Sequence, residues 1–367
     1  MQPTVAEISK EAVERALASF IEPYTGKDIV STKVLKDVRI DGGQVQIDVE
    51  LGFPSKRYAP QLSTALKEAL RTLAGVSDVQ VIIKSHIISH AVQKGVTPLP
   101  NVKNIIAVAS GKGGVGKSTV AVNLALALQA EGATAAVLDA DIYGPSQPRM
   151  LGAHGRPESK DGKSMEPKVS YGVQSISIGH LIDEETPMIW RGPMVTGALE
   201  QLLRDTNWRD VDYLVVDLPP GTGDIQLTLC QKIPVSGAII VTTPQDIALI
   251  DARKALKMFE KVQVPVLGIV ENMSTHICSK CGHEEHIFGE GGGGQMAKQY
   301  HVDLLGSLPL DIRIREGVDN GRPTVAMAPD SPVAQQFFEI ARKVAARIAM
   351  RAKDFSARFP KIVIQNT

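Results

Sequence analysis

Along the first ninety residues the apolar positions switch between helical and strand spacing. Ile8, Ala12, Ala16 and Phe20 fall four apart, which predicts a helix over 5–20. Apolar-rich runs at 33–40 and 44–51 read as two strands, and Asp41-Gly42-Gly43 between them offers the positive φ of a tight hairpin. Leu62, Leu66, Leu70 and Leu73 form a second helical stripe over 61–73, stopped at Gly75. A third strand follows at 78–84. This α-β-β-α-β order predicts a small α+β domain over 1–94. The run Gly95-Val-Thr-Pro-Leu-Pro-Asn101 suits an extended connector, so 95–103 reads as a linker. From residue 104 the pattern changes. Nearly continuous apolar strands (104–109, 134–139, 212–217, 237–243, 266–270) alternate with helical stretches (117–130, 196–205, 246–261). That alternation predicts an α/β domain over 104–367 with a mostly parallel, doubly wound sheet covered on both faces. Residues 151–170 read as a polar insertion loop. A closing helix is expected at 332–353, with Phe337, Ile340, Val344 and Ile348 on one face and Arg342, Lys343, Arg347 and Arg351 elsewhere.

Composition narrows the function. A chain of 367 residues holds about two domains at roughly 150 residues each. Hydrophobic residues at 43% and charged residues at 22% exclude a disordered chain. Forty basic and forty acidic residues balance, so no global field steers the protein to nucleic acid or an anionic membrane, and neither is expected as a partner. Three cysteines are too few for a disulfide framework. The acidic N-terminus, with Glu7, Glu11 and Glu14, has no secretory h-region, and no apolar run reaches the ~18 residues of a membrane span. A cytoplasmic location is expected.

Phosphate chemistry is written between residues 110 and 119. The strand Ile105–Ala109 runs into Ser110-Gly-Lys-Gly-Gly-Val-Gly-Lys-Ser-Thr119, and Gly111–Ser118 fits G-x-x-x-x-G-K-[ST]. Gly111, Gly113, Gly114 and Gly116 let the backbone, Val115 included, wrap a phosphate. The helix that begins near Thr119 points its positive end there. Lys117 is placed to neutralise β- and γ-phosphates, and Ser118 to ligate Mg²⁺. Asp139 and Asp141 follow a strand at the crevice where doubly wound folds bind ligands. Asp139 reads as part of the Mg²⁺ shell or as a cap of the following turn. Asp217, ending the stretch from Tyr213, stands in the Walker B position for Mg²⁺. Gly221 opens a switch loop to Asp224, with its N–H available to a γ-phosphate. Asn272 closes a further strand with an amide that suits an adenine edge or a buried structural bond.

Cys278 and Cys281 form a C-x-x-C that can grip one soft metal ion or one edge of a cluster. Cys230, in Leu227–Cys230, reads as a helix core position. Two more thiolates from a second protomer would complete a [4Fe–4S] site on a two-fold axis. Alternatively His283 and His286 complete a Cys₂His₂ zinc site within one chain, or the pair is a redox disulfide.

GKGGVGKST resembles the deviant Walker A loop of the MinD/ParA/NifH class of ATPases. That resemblance implies that Lys112 reaches across a dimer to the partner's nucleotide and that Asp141 orients the attacking water. Pro309-Leu-Asp311 resembles the loop that covers the base opposite Asn272. Together with DADIYGPS, WRGPM (190–194), DLPPGTGD, VENMS and CSKCGHEEHIFGEGGG, the chain resembles the Mrp/ApbC family of iron–sulfur cluster carrier ATPases. Residues 5–84 resemble the small assembly accessory domain that often precedes this ATPase, but Gly52–Arg57 lacks the cysteine of its familiar version. The resemblance implies a homodimer that binds ATP, Mg²⁺ and a labile [4Fe–4S] cluster at its interface. Hydrolysis would rest on Lys112, Lys117 and Asp141. Cluster scaffold proteins and apo iron–sulfur proteins would be the partners. A MinD/ParA-like positioning ATPase, a zinc-binding nucleotide switch and a NifH-like electron-transfer ATPase are the competing readings.

Overall fold

The structure, a computed structural model, describes residues 8–93, 95–181, 192–278 and 280–351. Residues 5–7 of the expected first helix, 352–353 of the expected last helix, and Trp190 and Arg191 lie outside the described residues. The chain divides into two compact units. Among the described residues one comprises 8–87 with Ala130–Ala133 and Arg342–Met350, and the other comprises those of 88–129 and 134–341 together with Arg351.

In the first unit, α1 (Lys10–Ala18) starts where the Ser9 hydroxyl accepts the Ala12 N–H at 3.2 Å. The helix is shorter than 5–20, and its buried stripe is Val13 and Leu17 rather than Ala12 and Ala16. The larger side chains remove more apolar area from water, so they set the inward face. β1 (Ile21–Glu22) and β2 (Lys27–Asp28) make a two-residue ladder that the hydrophobic pattern does not signal. β3 (Leu35–Asp41) turns through Gly42, at φ +56°, into antiparallel β4 (Gln44–Leu51). α2 (Ala59–Arg71) then crosses to β5 (Asp78–Ser85), which runs parallel to β4. α2 begins earlier than 61 because Pro60 fits its first turn. Strict alternation buries Val45, Ile47, Val49 and Leu51 of β4, and Leu62, Leu66 and Leu70 of α2 complete the core.

A buried ion pair lies within this unit. The Arg342 Nε donates to Glu131 Oε1 at 2.7 Å, and its Nη1 donates to the Tyr24 hydroxyl at 3.1 Å. The guanidinium stacks 5.8 Å from the Tyr24 ring and 5.6 Å from the Tyr58 ring. Tyr58 donates to Glu22 Oε1 at 3.0 Å, and Glu22 also accepts the Thr25 N–H at 2.7 Å. The Arg57 N–H occupies Glu131 Oε2 at 2.9 Å.

The second unit is the expected α/β sheet. Its elements are β6 (Val102–Ala109), α3 (Lys117–Ala130), β7 (Ala135–Asp139), α4 (Gln147–Met150), β8 (Lys168–Ser170), β9 (Val173–Ser177), α5 (Gly192–Asp205), β10 (Val211–Asp217), α6 (Asp224–Lys232), β11 (Gly237–Thr242), α7 (Asp246–Lys261) and β12 (Val266–Glu271). They continue with β13 (His276–Ile277), β14 (Glu284–Glu285), α8 (Gly292–Gln299), β15 (Leu304–Ser307), α9 (Ile312–Asp319), α10 (Thr324–Met327) and α11 (Pro332–Ala349), whose residues from Arg342 onward belong to the first unit. Eight strands run in the order β15-β12-β11-β6-β10-β7-β9-β8, all parallel except the edge strand β8. On one face Ile105, Ala107, Leu138, Leu214 and Val216 pack with Leu199 and Leu203 of α5 and with Leu229 and Cys230 of α6. Ile106, Val108, Val137 and Val215, which alternate with them, are equally buried, so both faces are covered. α3 is buried on nearly every side, as a helix that is apolar all round must be.

The insertion at 151–170 ends in β8, so it is not loop throughout. α11 buries Phe337, Ile340, Val344 and Ile348 in the protein interior, which leaves no apolar stripe for lipid. Among the described residues no helix is long and apolar enough to cross a membrane.

Candidate functional site

Parallel strands deliver their C-terminal ends to one edge, and the candidate residues collect there. Asp217 of β10 stands in register with Asp139 of β7 on one side and with Val108 of β6 on the other. The loop after β6 passes over them into α3. Gly111 is tightly packed: a Cβ there would lie 2.1 Å from the Asp251 carbonyl carbon in the backbone of α7. Gly116 has φ +82°, and a Cβ on it would lie 2.2 Å from Asn272 Nδ2. Gly113 and Gly114 face open space.

Lys117 folds onto the acids. Its ammonium lies 2.5 Å from Asp217 Oδ1, 3.5 Å from Asp141 Oδ2 and 3.2 Å from the Ser118 hydroxyl. Burial disfavours its charge, but Asp217 and Asp141 outweigh that and hold the ammonium above its ordinary range. Burial raises the Asp141 carboxyl, against the pull of Lys117.

Asp139 is fully buried. It accepts the N–H groups of Asp141 at 3.1 Å, Ser146 at 2.9 Å and Gln147 at 3.0 Å, and the Ser177 hydroxyl at 3.0 Å. These are the bonds of a cap on the following turn, the second of its two expected roles. Burial, and next the charge of Asp217, push its carboxyl up to about 7.

Gln147, immediately after the DADIYGPS run, is a site residue that the sequence reading missed. Its Nε2 donates to Asp217 Oδ2 at 2.9 Å and to the Ser118 carbonyl at 3.1 Å. Both partners are acceptors, so the amide orientation is fixed, and its buried Oε1 has no hydrogen-bond partner.

Elsewhere at this edge, Lys112 is half-exposed and has no ion pair among the described residues, while its carbonyl accepts the Ser110 hydroxyl. The N–H of Gly221 donates to the Ser110 carbonyl at 2.9 Å, so a phosphate contact there requires that bond to open. Thr119 uses its carbonyl to accept the Asn123 amide.

Asn272 donates from Nδ2 to the Val115 carbonyl at 2.9 Å. Leu308 donates to the Glu271 carbonyl at 2.8 Å, and Ser274 donates to the Leu308 carbonyl at 2.9 Å. Pro309 therefore directly follows the backbone pairing that brackets Asn272.

The next segment carries the cysteines on a small hairpin, β13 with β14. Cys278 is half-buried and Cys281 exposed, whereas Cys230 is buried in α6 as expected. The N–H groups of Lys280 and Cys281 converge on the Cys278 sulfur and hold its thiol below the ordinary range. Ile277 and Ile287 flank the pair, 56% and 52% exposed. His286 is tied by Nδ1 to the Ser274 carbonyl at 2.9 Å. Among the described residues no group of three or more His, Cys, Asp or Glu side chains is placed to hold a metal ion, so the single-chain Cys₂His₂ arrangement is not assembled.

Residues 101–345 match the model of the NUBPL iron-transfer P-loop NTPases, and residues 10–83 match that of an iron–sulfur cluster assembly protein domain. The chain belongs to the NUBPL iron-transfer P-loop NTPase family. It is 51% identical over 337 residues to the iron–sulfur cluster carrier protein of Haemophilus influenzae, covering 92% of this chain and 91% of that one. It is 52% identical over 253 residues to the mouse iron–sulfur cluster transfer protein NUBPL, covering 68% and 79%. Among solved structures, a nucleotide-binding protein from Archaeoglobus fulgidus in complex with ADP superposes with a TM-score of 0.56 at 36% identity, covering 65% of this chain and 93% of that one. The Pyrococcus furiosus cell division ATPase MinD shares the fold, with a TM-score of 0.50 at 23% identity, covering 66% and 98%. This family member is thus a P-loop ATPase by class and an iron–sulfur carrier by kinship.

Proposed function

We propose that the protein binds and hydrolyses ATP as a homodimer, holds a labile [4Fe–4S] cluster between the C-x-x-C hairpins of two protomers, and passes it to apo-proteins. The observation that carries this reading is the hairpin: two thiols, one with a lowered pKa, displayed at the surface between exposed isoleucines. One chain supplies only half the thiolates that a cubane cluster takes. A second copy brings the other half, and the ammonium of Lys112, without an ion pair among the described residues, reaches that copy's nucleotide.

At the nucleotide, Lys117 leaves the acids for the β- and γ-phosphates, and Asp217 and Ser118 turn to Mg²⁺. The residues fit that ion. Mg²⁺ is commonly held by one or two carboxylates together with phosphate oxygens rather than by a complete protein cage. Here a hydroxyl and a carboxylate stand together, backed by the unpartnered carbonyl oxygen of Gln147. When bound, Mg²⁺ neutralises charge that develops on the phosphates. Asp141 orients the attacking water, Asp139 holds the Asp141 backbone, and Asn272 and Pro309 flank the base. The segment 1–94, without a cysteine, serves docking or regulation. A reducing compartment, the cytoplasm, suits a carrier whose thiols stay free for the cluster.

Anaerobic reconstitution with iron and sulfide tests the carrier reading. It expects an absorption band near roughly 400 nm with about four iron and four sulfide per dimer, lost in Cys281→Ala. A colourless protein that retains about one zinc per chain would end it.

A further inference from the structure

Of three consecutive residues at the end of β12, two hold different parts of the second unit and the third has a left-handed backbone. Asn272 holds the nucleotide loop through the Val115 carbonyl. Glu271, only 3% exposed, turns the other way: its Oε1 accepts the Gly293 N–H at 2.6 Å, on the far side of the cysteine excursion. Met273 lies between Asn272 and the hairpin with φ +57°, a left-handed backbone that strains any residue bearing a Cβ. Its methyl carbon is 3.9 Å from the position a Cβ on Gly116 would take.

The excursion that carries Cys278 and Cys281 is therefore fixed at both feet. Its entry is set by Asn272 and Met273 against the P-loop, and its exit by Glu271. The base of the hairpin is closed by His286 Nδ1 on the Ser274 carbonyl at 2.9 Å and by the Leu310 N–H on the Thr275 carbonyl at 2.7 Å.

We propose that Glu271, Asn272 and Met273 couple the nucleotide loop to the cysteine hairpin, with Glu271 and Met273 as positioning residues for the thiols. The inference rests on the reading that the loop binds nucleotide and the hairpin holds the cargo. Val115 and Gly116 belong to the backbone that wraps a phosphate. When the Val115 peptide turns its N–H to the ligand, its carbonyl swings away from Asn272. The released amide takes another partner, and the chain adjusts at the nearest strained joint, Met273. The Glu271 tether keeps the exit fixed, so the hairpin pivots instead of sliding. The two sulfurs then sit differently in the loaded and empty states.

The test uses the full chain, reduced and free of cluster. Iodoacetamide alkylation of Cys278 and Cys281 is timed peptide by peptide by mass spectrometry, with and without Mg-ADP, alongside measurement of ADP affinity. Buried Cys230 is the internal control. In the native chain ADP changes the hairpin rates at least about five-fold, the lower end of ordinary coupling between sites. In Met273→Gly, where the left-handed backbone carries no strain, and in Glu271→Ala, which removes the acceptor of the Gly293 N–H, the ratio collapses toward one while ADP affinity is retained. Met273→Ala keeps the Cβ and keeps the ratio, which separates the backbone effect from loss of the side chain. Native protein that binds ADP with unchanged alkylation overturns the coupling, as does a full ratio in Met273→Gly. A native chain that does not bind ADP overturns the parent reading and the coupling with it.

Discussion

Two buried charge clusters, built from similar parts, behave differently. In the first unit Arg342 is gripped by Glu131 and Tyr24 and stacked on two tyrosines, Glu22 is fed by Tyr58 and backbone N–H groups, and none of these side chains has a buried atom left without a partner. In the second unit one ammonium, Lys117, serves Asp217 and Asp141, with Asp139 close behind. There the carboxyl of Asp139 is driven up to about 7, and Gln147 Oε1 and Ser146 Oγ are left unpaired. The first cluster is closed and holds chain segments together. The second is short of positive charge and of donors, which is the state of a site built to receive a cation and its ligand. Burial and charge count alone do not separate structure from function; the unmatched remainder does.

Substitutions break this comparison at different strengths. Arg342→Leu leaves Glu131 buried without its cation and is expected to cost roughly 3–5 kcal/mol in urea denaturation, while Arg342→Leu with Glu131→Leu restores most of it. ADP affinity stays unchanged in both. Lys117→Ala is expected to lower ATP turnover at least about 10²-fold, yet to destabilise the metal-free fold less than Arg342→Leu, because Asp139 and Asp141 take up protons instead. Its cluster content after reconstitution should match the native value. Gln147→Leu removes a buried support of Asp217 and should raise the Mg²⁺ needed for half-maximal nucleotide binding about 10-fold, as loss of an outer-shell partner does. A normal Mg²⁺ titration would show that the unpaired oxygen is idle.

The comparison also extends to pH. The folded carboxyl of Asp139 titrates near 7 against an ordinary 3.8. The folded state therefore keeps a proton that the unfolded chain has lost. This contribution to stability is complete below pH 3.8 and is lost as pH rises through about 7. Denaturation midpoints of metal-free protein should drift down over that interval, and Asp139→Asn should flatten the drift.

The parts legible in the sequence were those with strong local signals. The helices at 117–130 and 246–261 have the bounds the pattern predicts, because a glycine-rich turn or an acidic first turn marks each start and continuous apolar positions carry each helix through. α8 was not legible, since GGGQMAKQ reads as loop until Glu271 caps it from another element. The ladders β1–β2 and β13–β14 are two residues long, below any periodicity. β9, with the sequence VQSIS, is half polar yet wholly buried, because its Ser177 supports Asp139. Gln147 carries no motif, and its meaning comes from partners 29 and 70 positions away. Local code announced the loop and the thiols, but the residues that aim them are defined only by the packed fold.

Gly111 carries one more lesson. A methyl group there would enter the backbone of α7 at Asp251, with or without a nucleotide. A mutational scan scored on hydrolysis would register Gly111→Ala as a broken phosphate contact, when the first injury is a wedge driven between a loop and a helix. The residue acts as a spacer before it acts as a ligand holder. Anyone grafting this loop onto another scaffold would have to bring along a helix that approaches as closely, or the glycine would lose half its reason to be there.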